Sequence, residues 1–335
     1  MTINIGLTER CSLNCKHCFA LKRNIDMDKQ TLDNTIDFIA HRFKILREYN
    51  LTREVEFMGG EVGLVDPALI EYTIDRLNAL TNSTDIKYKT YTNLTYNLTD
   101  NHIKAFKRLD EFGTSYDYAI RFNTMKKEAL WRTNLQKCIE NGLNPSCSIC
   151  ATNTLITTVT PQMFMDYLMA LGLKEYTITL LSYPCDGRKD YDKPVNRDCD
   201  KWLYEVFLLY EELKKASYAI NIFLFEAIRD AVRGNSYSDF QRSCQKQKLS
   251  IAPNGDVSQC IFTQAKPFYN VNTKKLNQNV FENWVAAECK IPEPCKKCKY
   301  FKYCKGNCHL TEWDETGCIS QKLIFEHILK EEGKL

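Results

Sequence analysis

At 335 residues, 44% of them hydrophobic and 26% charged, the chain is long enough for one large domain and a smaller one, and its composition excludes collagen, coiled coil and disorder. A formal net charge of +3 is too small to indicate a nucleic acid or an anionic membrane surface. The opening "MTINIGLTER" lacks the basic-then-apolar layout of a signal peptide, and no window approaches ~18 consecutive apolar residues, so the expected location is cytoplasmic with no membrane contact. Sixteen cysteines in a reducing compartment argue for metal or redox chemistry rather than disulfides.

From residue 3 to about 181, short apolar runs alternate with stretches of helical periodicity. The candidate strands are "INIGLT", "EVEFM", "IKYKTYT", "SYDYAIRF", "SCSICAT" and "YTITLL". Between the first two, Leu32, Ile36, Ile39, Phe43 and Leu46 recur at steps of four and three and form one apolar helical face. "PALIEYTIDRLNAL" and "PQMFMDYLMALG" read the same way, each beginning at a proline. Six strand-helix units in series predict an α/β fold, a parallel sheet with right-handed crossovers curled into a partial (β/α)6 TIM-like barrel. Active sites of such sheets lie at the C-terminal ends of the strands.

The alternation stops after "LLSYPCDGRKDYDKPVN", and a helical stretch from Trp202 to Lys215 leads into a different composition. The last hundred residues hold eight cysteines and a hairpin signal, "APNGDV". A core too small to stabilise itself by burial usually needs metal, so a small Cys-rich second domain is expected. The expected division is a barrel over 1–185, a bridge over 186–237 and the tail over 238–335.

"ERCSLNCKHCFA" sets Cys11, Cys15 and Cys18 in the loop after the first strand. Four thiolates would close a cubane cluster, whereas three leave one iron open to substrate or cofactor. A zinc site using His17 or a distant fourth ligand stays open on spacing alone. The second strand ends in Gly59, Gly60 and Glu61; the two glycines let backbone approach a ligand, and Glu61 can accept hydrogen bonds from an amino group.

The CxxxCxxC at Cys11, Cys15 and Cys18 resembles the signature of the radical S-adenosylmethionine (radical SAM) enzymes, with His17 where that family usually has an aromatic residue. "GGE" is similar to the family's motif, with Val62 in place of the usual proline. "TYTNLT" is similar to its TNG stretch, at Thr92 and Asn93, with Leu94 replacing glycine, and Ser115 and Asp117 are similar to its S-x-D segment. The resemblance implies that these residues surround S-adenosylmethionine. It also implies that the cofactor chelates the open iron and is cleaved by one electron to methionine and a 5′-deoxyadenosyl radical, which abstracts hydrogen from substrate.

The tail carries the more specific pattern. Cys244 is followed after ten residues by Gly255 and after four more by Cys260; then come Cys295, Cys298, Cys304 and Cys308 at spacings of two, five and three, with Cys318 after a gap. This resembles the SPASM domain at every spacing, which implies two auxiliary 4Fe-4S clusters and three clusters in all. Carried over, Cys295, Cys298, Cys304 and Cys318 hold the outer cluster, and Cys244, Cys260 and Cys308 hold the inner one, leaving it one thiolate short. Asp239, Cys199 or Cys289 would complete it, or its iron stays open. Of the other cysteines, Cys138, Cys147 and Cys150 read as small buried hydrophobes. Cys185, at the mouth after the sixth strand, reads as a candidate hydrogen donor or substrate contact. The lysines within "KKCKYFKYCK" offset cluster charge more readily than they form a nucleic-acid surface.

The resemblance implies a peptide or protein maturase that performs crosslinking, thioether formation, epimerisation or oxidation. It draws electrons from a donor such as flavodoxin or ferredoxin. No leader-binding domain is expected ahead of the barrel, so a separate leader-binding protein becomes a candidate partner. The alternatives are a small-molecule radical dehydrogenase or a sulfatase-type maturase, and, from another class, a zinc-binding nucleic-acid module.

Overall fold

The computed structural model describes residues 1–48, 51–181, 192–234, 244–263, 266–318 and 321–334, so Cys185 and Asp239 lie outside the described residues. The barrel half runs β1 (Thr2–Thr8), α1 (Lys29–Glu48), β2 (Glu54–Gly59), α2 (Ala68–Thr81), β3 (Lys87–Thr92), α3 (Asp100–Phe106), β4 (Glu111–Ser115), α4 (Met125–Glu140), β5 (Ser146–Ala151), α5 (Asn153–Thr158), α6 (Pro161–Leu171) and β6 (Glu175–Leu180). Then follow α7 (Asn196–Lys215), β7 (Asn221–Ile222), α8 (Phe223–Arg233), α9 (Cys244–Gln247), β8 (Lys248–Ile251), β9 (Asp256–Ser258), β10 (Tyr269–Asn270), α10 (Gln278–Cys289), α11 (Glu293–Lys296), α12 (Phe301–Cys304) and α13 (Lys322–Glu331).

β1 to β6 pair in sequence order and in parallel, with Ile3 opposite Val55 and Thr90 opposite Phe112. The sheet ends at β7 on one side and β10 on the other, an open partial barrel. β1 is buried on both faces, as parallel strands covered by helices are. Leu32, Ile36, Ile39 and Phe43 of α1 lie in the same fully buried cluster as Ile3 and Ile5, each worth about 1.5–3 kcal/mol of burial. Threonine N-caps at Thr99, Thr124, Thr152 and Thr160 start α3, α4, α5 and α6, and Thr152 follows the last residue of β5 directly.

The fourth strand differs from the expectation. "SYDYAIRF" is the loop that follows it, and the strand itself is "EFGTS". At Gly113 within it, a Cβ would lie 2.4 Å from the Tyr91 ring, so the glycine makes room for a side chain of the neighbouring strand. α7 likewise begins at Asn196, before the expected Trp202.

The tail continues the barrel sheet. β8 pairs in parallel with β1, Thr2 opposite Lys248 and Ile5 opposite Ile251, and β9 folds back on β8 through the hairpin at Gly255, where φ is +84°. At its end α13 packs Ile324, Phe325, Ile328 and Leu329 onto α7 and α8. Among the described residues no helix is long and apolar enough to cross a membrane.

Candidate active site and metal centres

The loop after β1 lies across the C-terminal ends of the strands. Cys11, Cys15 and Cys18 line a cavity of about 460 Å³ together with Gly59, Gly60 and Glu61 after β2, Thr92 and Asn93 after β3, and Ser115 at the end of β4. Its deeper wall is polar: Glu56, Tyr91, Ser148, Thr177 and Thr179 replace the aliphatic layers that normally fill a barrel. Burial pushes the Glu56 carboxyl up, against the pull of Lys89 and Lys248.

The cysteine loop is held by protein groups alone. Asn93 Nδ2 reaches Cys11 Sγ at 3.5 Å and Ser12 Oγ at 3.1 Å, and Lys22 Nζ donates to the Leu13 carbonyl at 3.2 Å. Lys127 Nζ donates to the Ser12 carbonyl, and Arg23 clamps the buried Glu9 with two bonds of 2.5 Å. Burial raises the Cys11 and Cys15 thiols, so metal binding there releases protons.

The glycine pair has a different neighbour from the one expected. A Cβ on Gly59 would lie 2.0 Å from the Thr8 carbonyl oxygen, and one on Gly60 2.4 Å from that of Arg10. The glycines therefore admit the root of the cysteine loop as well as bordering the cavity. Glu61 is buried; its Oε1 accepts from Gly63 N–H at 2.9 Å and from Thr92 Oγ1, and its Oε2 accepts from Asn93 N–H at 2.7 Å. It fastens β2 to β3 at the cavity edge. Leu94 takes a left-handed φ of 52° where the family pattern has glycine, at a cost of about 1 kcal/mol.

Asp117, expected beside the cofactor, lies behind the wall. Its Oδ2 meets His17 Nε2 at 2.9 Å and the Arg121 guanidinium at 2.7 Å, while Oδ1 accepts from Cys150 N–H at 2.7 Å. Burial pushes this carboxyl up, but Arg121 and His17 outweigh it and hold it well below the usual carboxylate range. The group facing the cavity is Arg121, four residues on. The Asp-x3-Arg spacing in "DYAIR" was the signal that could have found it.

In the tail, Cys295, Cys298, Cys304 and Cys318 wall one small, largely enclosed cavity with Phe301 and Trp313. Cys244, Cys260 and Cys308 gather separately: the Cys244 and Cys260 thiols, raised by burial to about 12 and about 11, both feel Cys308. Cys11, Cys304 and Cys308, one from each set, accept a backbone N–H two residues on at 3.4 Å, from Leu13, Gly306 and Leu310. Such bonds to sulfur stabilise thiolate and tune cluster potential.

Single-ion binding needs closer sulfurs: thiolates around tetrahedral zinc stand about 3.8 Å apart. Among the described residues, only His17, Asp117 and Cys150 bring three candidate ligand atoms within 4.8 Å of one another. There Arg121 already neutralises the carboxylate. The all-sulfur chemistry of the three cysteine sets fits an iron-sulfur cluster.

No family model matches the chain. An uncharacterised protein of Methanocaldococcus jannaschii is 29% identical over 185 residues, 53% of this chain and 61%, less than two thirds, of that protein's length. Among solved structures, anSMEcpe with bound AdoMet superposes with a TM-score of 0.77 at 17% identity, over 98% of this chain and 96% of that one. SuiB from Streptococcus suis, bound to precursor peptide SuiA, superposes with a TM-score of 0.60 at 14% identity, over 92% of this chain and 71% of SuiB.

The chain shares the fold of anSMEcpe over nearly its whole length, tail included. In this fold the tail also reaches the mouth. The Phe19 and Phe262 rings meet edge-on at 4.8 Å, and Lys248, Ile261 and Phe262 line the same cavity as the first cysteine set. Two of the proposed inner-site ligands do not join it. Cys199 is fully buried in α7, with Asp200 as the charged neighbour its thiol feels, and Cys289 is exposed at the end of α10.

Proposed function

We propose that the chain is a radical SAM enzyme acting on a peptide or protein substrate, with three 4Fe-4S clusters. The observation that carries this reading is the 460 Å³ cavity, which has the three-thiol loop at one side, a polar barrel wall beneath and the tail residues Lys248, Ile261 and Phe262 at the other. A reduced cluster with one open iron supplies the electron that cleaves S-adenosylmethionine.

Around that chemistry this chain's residues bind and orient. Asn93 and Lys22 hold the cysteine loop, Glu61 fixes the strand ends, and Arg121 offers a guanidinium for a carboxylate. His17 Nδ1, buried without a protein partner, offers one hydrogen-bonding atom to the bound ligand. Ser148, Thr177, Thr179 and Glu56 are left to face the substrate. anSMEcpe with a Cp18Cys peptide and SuiB with SuiA support a peptide over a small molecule. We take the compartment to be the cytosol, where a flavodoxin or ferredoxin supplies electrons.

The test is anaerobic reconstitution followed by reduction with S-adenosylmethionine present. 5′-Deoxyadenosine should form, should vanish in Cys11→Ala/Cys15→Ala/Cys18→Ala, and should increase with a peptide encoded beside this gene. Zinc without sulfide in the purified protein would overturn the reading, and stimulation by small alcohols instead of peptide would replace its substrate class.

A further inference from the structure

We propose that Glu288 is the fourth protein ligand of the inner auxiliary site, an oxygen donor standing where a fourth thiolate is missing. The inference rests on the proposed inner cluster of Cys244, Cys260 and Cys308.

Glu288 is the penultimate residue of α10 and is 1% exposed. Its Oε1 accepts the backbone N–H of Cys244. The carboxylate therefore stands at the thiol set and not merely near it in sequence. Two contacts fix it there. Trp284, one helical turn earlier, meets the His309 ring edge-on at 4.5 Å, which pins α10 against the residue after Cys308. Gln259 Nε2 donates to the Cys244 carbonyl at 2.7 Å and to that of Lys248, which holds the Cys244 backbone under the carboxylate. Cys289 faces out on the same helix end, as adjacent helical positions do.

A carboxylate oxygen is a harder donor than thiolate, so it would hold its iron less tightly and could yield it to an incoming substrate sulfur.

The experiment uses full-length Cys11→Ala/Cys15→Ala/Cys18→Ala protein, reconstituted anaerobically so that only the tail is loaded, with about eight irons expected for two 4Fe-4S clusters. Ferricyanide titration is followed by EPR, which detects the three-iron cluster left when oxidation expels a weakly held iron. Adding Glu288→Gln, which keeps an acceptor for Cys244 N–H but removes the charge, should raise that signal several-fold or halve the iron content. Glu288→Cys should suppress the signal below that of the Glu288 protein. An unchanged outer-cluster spectrum and helical circular dichroism show that each variant folds. About eight irons with identical signals for Glu288, Glu288→Gln and Glu288→Cys would overturn the role of Glu288 and leave the proposed function standing. About four irons before any change at Glu288 would overturn both this inference and the inner cluster on which it rests.

Discussion

The mouth of the barrel and the cysteine-rich tail gather thiols in opposite ways. At the mouth, the loop carrying Cys11, Cys15 and Cys18 is tied by side chains from β3, α4 and the loop itself, above a fully buried core. In the tail, α9, α11 and α12 are four residues each, too short to persist without tertiary support, and the thiols of α11, α12 and the segment after them wall a cavity of their own. On the proposed reading, a cluster would be a guest in the first region and part of the framework in the second.

Stripping iron should separate the two most widely. Hydrogen exchange of the apo protein should show 293–318 without protection while β1 to β6 keep theirs; uniform loss, or uniform retention, would break the contrast.

The frame at the mouth is itself costly to disturb. Asp117→Asn leaves the buried Arg121 guanidinium without its anion and should destabilise the apo protein by about 3–5 kcal/mol in urea unfolding. A loss below ~1 kcal/mol would mean that metal, not protein, holds this region.

Asp200 of α7 probes the joint between the regions, because its carboxyl accepts from backbone N–H groups at the start of α13. Burial raises it from the ordinary 3.8 to about 6. The folded chain thus keeps a proton that the unfolded chain releases, so the group's contribution to stability is fully present below pH 3.8 and lost as pH rises through about 6. Asp200→Asn should therefore raise stability at pH 7, by at most about 3 kcal/mol, with the gain fading toward pH 4. Thermal unfolding across that range reads it, and a pH-independent difference would reject the account.

The smallest effect is expected at Asn93→Ala, about 1 kcal/mol for lost hydrogen bonds to Ser12 and the Cys11 sulfur. Iron bound at the first site should become less resistant to chelator, while the tail's iron is untouched.

These contrasts mark how far sequence reading reached. The outer set lies within 24 residues, from Cys295 to Cys318, and the SPASM resemblance of that spacing implied the grouping that walls one cavity. The inner set draws on Cys244, Cys260 and Cys308, and the carboxylate beside it, Glu288, carries no motif. "SYDYAIRF" misplaced the fourth strand because alternation measures one segment, whereas the space that Gly113 leaves belongs to Tyr91 on the neighbouring strand.

By itself the sequence determined which stretches form helices and strands, the order of a parallel sheet and the two local thiol spacings, because periodicity and short spacing act within one or two turns of chain. Tertiary structure alone decided that β8 extends the barrel sheet, that Gly59 and Gly60 admit the Thr8–Arg10 backbone, and that Asp117 is spent on His17 and Arg121 while Arg121 faces the cavity. A polar side chain's task depends on which partners reach it first, and here those partners arrive from segments as far as a hundred residues away.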